Sequence, residues 1–357
     1  MLKFHPLKVL AVVPDAEDAV ALALEVPPEL AGEYRGAAGQ HVVVRAVLGG
    51  EELRRTYSLV SAPGESPLRI VARVHPHGRM SRHLAEAVRP GDALEVLPPN
   101  GSFSARTGPD LQGTYVAFAA GCGITPVLAV VRALLAGGAT RVLLFYGNTG
   151  TARTMCLEEL LALKDRYLGR LALHFLMSRE PQEVELYNGR LDAAHVRRFG
   201  AQLFAPQAVR EYFICGPGDM VAALTAVLGE LGVEPGRIHA EHFTLAGTPA
   251  AAAPALAPAS APASGEVEVS VLMDGRRRSF SLRGAESVLD GAARAGIELP
   301  FSCRAGVCST CRTKVVRGTV TMAQNYALED WEVEQGYVLA CQAHVTEGPL
   351  ELDYDER

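Results

Sequence analysis

Residues 301–315 read FSCRAGVCSTCRTKV and place three of the seven cysteines within nine residues. Thiols this close in sequence need a common purpose. Disulfides are a poor one, because the cysteine count is odd and the start, MLKFHPLKVLAVVPDAEDAV, has an early proline and early acids where a secretory signal would be apolar. Reduced thiols or metal ligands in the cytoplasm are the expectation.

A fourth cysteine completes the set. Cys303-x4-Cys308-x2-Cys311 is followed, after 29 residues, by Cys341 in YVLACQA. This is the plant-type ferredoxin spacing, and it predicts that the four thiolates hold a [2Fe-2S] cluster. Small residues (Ala305, Gly306, Ser309 and Thr310) let the backbone wrap closely and aim its N–H groups at the sulfurs. Arg304 and Arg312 are candidates to moderate the cluster's negative charge. A structural zinc site and a disulfide pair are the alternatives; zinc favours two Cys-x2-Cys pairs, and only one occurs here. Upstream, EVEVSVLMDGRRRSFSLR (266–283) reads as a hairpin turning at Asp274 and Gly275, and AESVLDGAARAG (285–296) as a short helix. Together they outline a β-grasp-like module.

With 357 residues, 48% hydrophobic and 21% charged, the chain is long enough for two or three folded domains. The net charge of −6 argues against general nucleic-acid binding. Residues 111–131 carry no charge, but Gly121, Gly123 and Pro126 interrupt the run, which reads as strand, turn and buried helix instead of a membrane span. AGTPAAAAPALAPASAPAS (246–264) is an Ala/Pro/Ser linker that could extend over roughly 60 Å at ~3.1 Å per residue. The expected order is therefore a first domain over 1–106, a second over 107–245, the linker over 246–264 and the cysteine module over 265–357. The first is rich in short alternating strands and predicts an antiparallel β-barrel. The second alternates apolar strands with helical stretches and predicts an α/β parallel sheet that binds a nucleotide at its strand ends. Residues 329–357 hold nine acids and one base, which is either a solvated face or a docking face for a basic partner.

Three further motifs carry a resemblance. RRTYSLVSAP contains Arg55-Thr56-Tyr57-Ser58; RVHPHGRMSRHL contains Arg73 and the turn Gly78-Arg79-Met80-Ser81; AAGCGITPVLA contains Gly121, Gly123, Thr125 and Pro126. In this order they resemble the ferredoxin-NADP reductase superfamily, and LPPNGSF (97–103) resembles that family's barrel closure. The resemblance implies FAD, with Arg55 on its pyrophosphate, Tyr57 against the isoalloxazine and Ser58 near flavin N5. Arg73 and the 78–81 turn would serve the same cofactor, the turn and Ser81 facing phosphate. It implies a nicotinamide nucleotide at Gly121, Gly123, Thr125 and Pro126, with Cys215-Gly216-Pro217 beside the nicotinamide ring. Glu241 would support proton and hydride chemistry, and Phe243 would cover the flavin ring; Ser58, Cys215 and Glu241 are thus the catalytic candidates. Cys122 and Cys156 read as buried thiols. Ser178 and Arg179 match the family's pair for a 2'-phosphate, extended by Tyr187 and Arg190, and favour NADPH, while Glu183 and Glu185 nearby keep NADH open.

The domain order resembles reductase components of oxygenases, and the C-terminal run NYALEDWEVEQGYVLACQA together with SREPQ is similar to those serving phenylacetyl-CoA epoxidation. This implies a serial electron path from NADPH through FAD and the [2Fe-2S] cluster to a multi-subunit di-iron oxygenase, docked through the acidic ferredoxin module. A reductase of the same architecture for another hydroxylase or desaturase is one alternative; a non-catalytic redox carrier or sensor is another.

Overall fold

The computed structural model describes residues 3–104, 111–138, 141–243, 266–328 and 330–356. The expected boundary at 106/107 and the linker over 246–264 lie outside the described residues. The chain forms two compact units, one built mainly from residues 4–246 and one from residues 247–357.

The first unit opens with six antiparallel strands: β1 (His5–Ala16), β2 (Ala19–Glu25), β3 (His41–Leu48), β4 (Glu51–Ser58), β5 (Leu68–Arg73) and β6 (Ala93–Val96). Their order is β4-β3-β6-β1-β2-β5. Apolar residues two apart, such as Leu7 and Val9, Leu22 and Leu24, or Val42 and Val44, point inward and fill the interior. The sheet closes where β4 ends: Leu59 bridges Ile70, and the Val60 N–H donates to Arg69 O at 3.0 Å. A short helix, α1 (Arg79–Arg82), runs on as a π-turn to Ala87 and plugs the barrel with Met80 and Leu84.

Five parallel strands follow: β7 (Thr114–Ala120), β8 (Arg141–Asn148), β9 (Leu171–Met177), β10 (Val209–Gly216) and β11 (Ile238–His242). Helices α2 (Ile124–Ala136), α3 (Leu157–Arg166), α4 (Ala193–Gln202) and α5 (Gly218–Glu230) connect them. β7, β8 and β10 are almost wholly buried, as expected of strands covered on both faces. The order β11-β10-β7-β8-β9 places the reversal of direction between β7 and β10. Ligands bind such sheets in the crevice at that reversal. The run that hydropathy alone could have taken for a membrane span is β7, a turn and α2. Among the described residues no helix is long and apolar enough to cross a membrane.

Barrel and parallel sheet are tied by ion pairs. Arg132 on α2 reaches Glu159 on α3 at 2.6 Å, Glu65 at 3.2 Å and Val60 O at 2.9 Å, and Arg69 of β5 reaches the same Glu159 at 3.0 Å. Asp15 accepts the Cys156 N–H at 2.9 Å, fixing the left-handed residue (φ 56°) that starts α3.

The second unit is a β-grasp. Its strands β12 (Glu266–Met273), β13 (Arg276–Arg283), β14 (Arg312–Met322), β15 (Tyr337–Leu339) and β16 (Ala343–Asp353) order as β13-β12-β16-β14-β15, with β12 and β16 parallel. Asp274 (φ 53°) and Gly275 (φ 67°) make the predicted hairpin turn, and both turn N–H groups are held by the Asp355 carboxylate at 2.7 and 2.8 Å. Helix α6 (Val288–Arg294) is capped by Ser287, whose Oγ accepts the Asp290 N–H at 3.1 Å. A one-turn helix, α7 (Asp330–Glu334), precedes β15.

Candidate functional site

The cysteine loop joins α6 to β14. It curls through left-handed residues at Arg304, Gly306 and Ser309 (φ 55°, 75° and 47°). A side chain at Gly306 would meet Gln324 O at 2.9 Å, so the loop is packed to backbone contact there. This curl turns N–H groups onto sulfur: Ala305 N lies 3.3 Å from Cys303 Sγ, and Cys303 N lies 3.5 Å from Cys308 Sγ. The four thiols come as two hydrogen-bonded pairs, Cys303 with Cys308 and Cys311 with Cys341. Hydrogen bonding from Cys308, then from the backbone N–H groups of Ala305, Val307 and Cys308, holds the Cys303 thiol down to about 6. Two dithiol pairs suit a binuclear cluster, in which each iron takes two thiolates. The residues therefore fit [2Fe-2S]. Arg304 is balanced by Asp290 at 3.1 Å and lies over Phe301, while Arg312 is balanced by buried Glu332 at 2.9 Å and lies over Tyr337. Neither arginine is an unpaired charge beside the cluster.

On the barrel, Arg55, Thr56, Tyr57 and Ser58 form the end of β4. Arg55 is exposed and has no carboxylate partner among the described residues, its guanidinium donating to Arg54 O at 2.7 Å. Burial holds the Tyr57 phenol above its usual range. Ser58 is 4% exposed, and its Oγ has no hydrogen-bond partner among the described residues. An uncommitted cation, an aromatic face and an orphaned buried hydroxyl along one strand fit a flavin dinucleotide. The 78–81 turn is arranged differently from expectation. Ser81 Oγ is spent on the turn itself, accepting from His75 N at 3.2 Å and donating to Gly78 O at 3.3 Å, so only the backbone remains to face phosphate. Met80 is 2% exposed and belongs to the barrel core. Arg79 pairs with Glu51 and donates to Leu48 O at 2.6 Å, stitching α1 to the β3–β4 hairpin. Arg73 pairs with Asp18, which also holds Arg153, placing this cluster on the seam between barrel and parallel sheet.

At the reversal between β7 and β10, Gly121 (φ 54°) and Gly123 lead into α2, with Thr125 and Pro126 buried in its first turn. A Cβ on Gly123 would lie 2.2 Å from Cys215 O, so the two loops pack backbone to backbone. Thr125 Oγ1 donates to Cys122 O at 3.0 Å. Pro217 caps α5, and Gly216 sits against Ala120 and Met220. Burial raises the thiols of Cys122, Cys156 and Cys215, so none is a ready thiolate. Half-buried Phe243 packs on the cluster that contains Cys215. Ser178 and Arg179 follow β9, their N–H groups bound to Asn148 O and Thr149 O at 2.9 and 3.0 Å, and the exposed Arg179 guanidinium has no partner among the described residues. Tyr187 and Arg190 are otherwise engaged, with His174 (2.9 Å) and Asp219 (3.1 Å). The glycine-rimmed crevice at the reversal fits a nicotinamide nucleotide, and Arg179 stands two strands away, at the end of β9.

Glu241 lies directly beside Cys215 in the β10–β11 pairing, 4.0 Å from its Sγ. Burial pushes the Glu241 carboxyl up to about 8. Its second neighbour is His41, at 3.9 Å on β3, a residue that sequence reading left inside the apolar run HVVVRAV. Only the β3–β4 register, which sets His41 opposite Ser58, discloses it. The raised carboxyl has a measurable consequence. Folding keeps a proton on Glu241 between about pH 4.5 and 8, where the unfolded chain has lost it, so stability falls as pH rises through that window and levels off above it. The urea midpoint of Glu241→Gln should therefore gain on the native chain from pH 5 to pH 8 and run parallel above; a constant difference across pH would refute the buried neutral carboxyl.

Comparison with known proteins agrees with the geometry. Family models match in order: an oxidoreductase FAD-binding domain at residues 16–104, an oxidoreductase NAD-binding domain at 118–225 and a 2Fe-2S iron-sulfur cluster binding domain at 271–346. The chain is 38% identical over 361 residues to one of the subunits of 1,2-phenylacetyl-CoA epoxidase from Escherichia coli (strain K12), covering 100% of this chain and 99% of that one. It is 31% identical to the ferredoxin reductase component of 3-ketosteroid-9-alpha-monooxygenase from Rhodococcus rhodochrous, over 98% and 96% of the two chains. Among solved structures, phthalate dioxygenase reductase shares the fold with a TM-score of 0.59 at 24% identity, over 98% of each chain. With three matching domains in one polypeptide and relatives alike over their whole length, the chain belongs to the family of flavin- and [2Fe-2S]-dependent, NAD(P)H-oxidising reductase components of oxygenase systems.

Proposed function

We propose that this reductase delivers electrons from NADPH to a multi-subunit di-iron oxygenase in the cytoplasm, and that the oxygenase is a phenylacetyl-CoA epoxidase. The near-complete 38% identity to a component of that enzyme carries the reading. Bound nicotinamide, FAD and [2Fe-2S] would between them supply hydride transfer and its division into single electrons. The chain's own part is to position and to exclude water. Gly121 and Gly123 let a nucleotide lie on the backbone, Arg55 offers a fork to a diphosphate, and Ser58 offers a buried hydroxyl to the flavin ring. Exit is assigned to the cysteine loop. The acidic run contributes less to docking than its count suggests, because Glu332, Glu351 and Glu356 are paired with Arg312, Arg277 and Lys314, and Asp355 is bound to the hairpin turn. Shape around the loop must supply the rest.

The deciding experiment combines the purified protein with the oxygenase subunits of phenylacetyl-CoA epoxidase and follows NADPH-driven, O2-dependent loss of phenylacetyl-CoA. Coupled turnover is expected. If artificial acceptors are reduced but the CoA ester survives, the partner is another oxygenase; the 31% likeness to a ketosteroid monooxygenase component makes that system the next to try.

The division of labour is tested separately. Cys308→Ser should remove the cluster's visible and EPR signals and the reduction of cytochrome c, yet leave most NADPH-dependent ferricyanide reduction, which the flavin can perform directly. Parallel loss of both activities would contradict a serial path. For the nucleotide, Arg179→Ala should raise the KM for NADPH about tenfold while leaving that for NADH within about twofold, since only the 2'-phosphate would lose a partner. Equal effects on both would withdraw the NADPH preference.

A further inference from the structure

Arg304 and Arg312 are committed to Asp290 and Glu332, so neither lends the cysteine loop an unpaired charge. A neutral side chain does reach a ligand. Gln342 follows Cys341, and its amide nitrogen lies 3.7 Å from Cys341 Sγ and 3.0 Å from Arg304 O. The carbonyl acceptor decides which end of the amide faces the loop, because an amide oxygen there would meet another oxygen. An amide nitrogen carries two hydrogens, so the one group can serve both acceptors at once. Its stem is held as well. The Gln342 N–H donates to Leu339 O at 2.8 Å, and the Gln342 carbonyl accepts the Ala323 N–H at 2.9 Å. A side chain on Gly306 would come within 3.2 Å of Gln342 Cγ, so the glutamine lies across the loop at its left-handed glycine. Cys308 and Cys311 are buried, whereas Cys303 and Cys341 are half-buried, and Gln342 stands beside one of these two less protected sulfurs.

We propose that Gln342 is a positioning residue that sets the reduction potential of the [2Fe-2S] cluster, giving one amide hydrogen to the Cys341 sulfur and the other to the Arg304 carbonyl. The electron balance is simple. One electron arrives from the flavin and one leaves to the acceptor; the amide keeps both hydrogens, and no bond breaks. An added electron raises the negative charge on the sulfurs, so a hydrogen aimed at one of them is bound more strongly in the reduced state. The donor therefore raises the potential and makes the cluster easier to reduce. Backbone N–H groups serve sulfurs in the same way, Ala305 on Cys303, Cys303 on Cys308 and Gly306 on Cys341. Gln342 differs from these because it can be exchanged without altering the backbone. Its second bond reaches Arg304, which lies between Cys303 and Cys308, across 38 residues of chain. One side chain thus joins the two dithiol pairs. The inference rests on the cluster reading and is independent of which oxygenase is served.

The test uses purified protein carrying FAD and cluster, with Gln342→Met and Gln342→Ala. Methionine keeps an unbranched stem over Gly306 and has no hydrogen to give. Alanine opens the place to water, which can supply a hydrogen in the amide's stead. Cluster content is read from absorbance and iron, and the midpoint potential from a redox titration followed by the EPR signal of the reduced cluster. In Gln342→Met the oxidised-to-reduced ratio at the native midpoint should rise about tenfold, a fall of roughly 59 mV for one electron. The fall in Gln342→Ala should be smaller. After exchange into D2O, ENDOR of the reduced cluster should show one deuteron coupling fewer in Gln342→Met than in the native protein. An unchanged or higher midpoint in Gln342→Met would overturn the assignment, and so would identical deuteron couplings in the two proteins. Loss of the cluster from both variants, with the native protein fully loaded, would also overturn it, making Gln342 a clamp on the loop. A native protein that holds no [2Fe-2S] cluster would instead defeat the site on which the inference stands.

Discussion

Two loops at the C-terminal ends of β7 and β10 approach until no side chain fits between them, and the arrangement of the nucleotide half depends on this contact. Gly123 has room for a hydrogen and nothing more against the Cys215 carbonyl. The closeness follows from the parallel pairing of β7 with β10, which runs in register to Ala119 and Cys215 and leaves both loops at the same level. One loop opens α2 and the other opens α5, so the two helix starts stand side by side at the sheet's reversal. A methyl group at position 123 would have to displace backbone, which in a sheet buried on both faces means moving a strand.

Barrel and sheet also act as one body because their joints are ionic and shared. Glu159 serves two arginines that come from different halves, Arg69 from the barrel and Arg132 from α2. Asp18 does the same for Arg73 and Arg153. Each carboxylate between two guanidiniums is partly shielded, so its pairs resist screening better than isolated surface bridges. This matters where side chains of the two halves adjoin: Ser58 and His41 belong to the barrel, Cys215 and Glu241 to the sheet.

Much of the fold was legible because it is periodic or punctuated. The alternating runs became the six barrel strands, the apolar runs became β7 to β10, and Asp274 with Gly275 turned the chain where a positive φ was needed. The four cysteines were legible as a spacing, and the 2Fe-2S domain match over residues 271–346 spans all four. Commitments among polar side chains were not. Ser81 matched a phosphate-binding turn but closes that turn on itself, Met80 matched the same motif but packs inward, and Arg190 was already paired with Asp219. His41 was hidden for the opposite reason. Its importance comes from a cross-strand neighbour and a strand some 200 residues away, and neither leaves a mark on HVVVRAV.

The pairing of the terminal acids has a consequence for how a partner would find this protein. A formal charge of −6 describes a monopole, whose field reaches far at low salt. Carboxylates locked against Arg277, Arg312 and Lys314 present dipoles instead, and a dipole's field fades more steeply with distance. The pairing leaves the net charge of −6 unchanged, so an approaching basic acceptor still feels a long-range pull at low salt, while the paired carboxylates act only near contact. The rate of arrival would then follow the net charge and the ionic strength, whereas the time spent in contact would follow how the paired surface fits the acceptor.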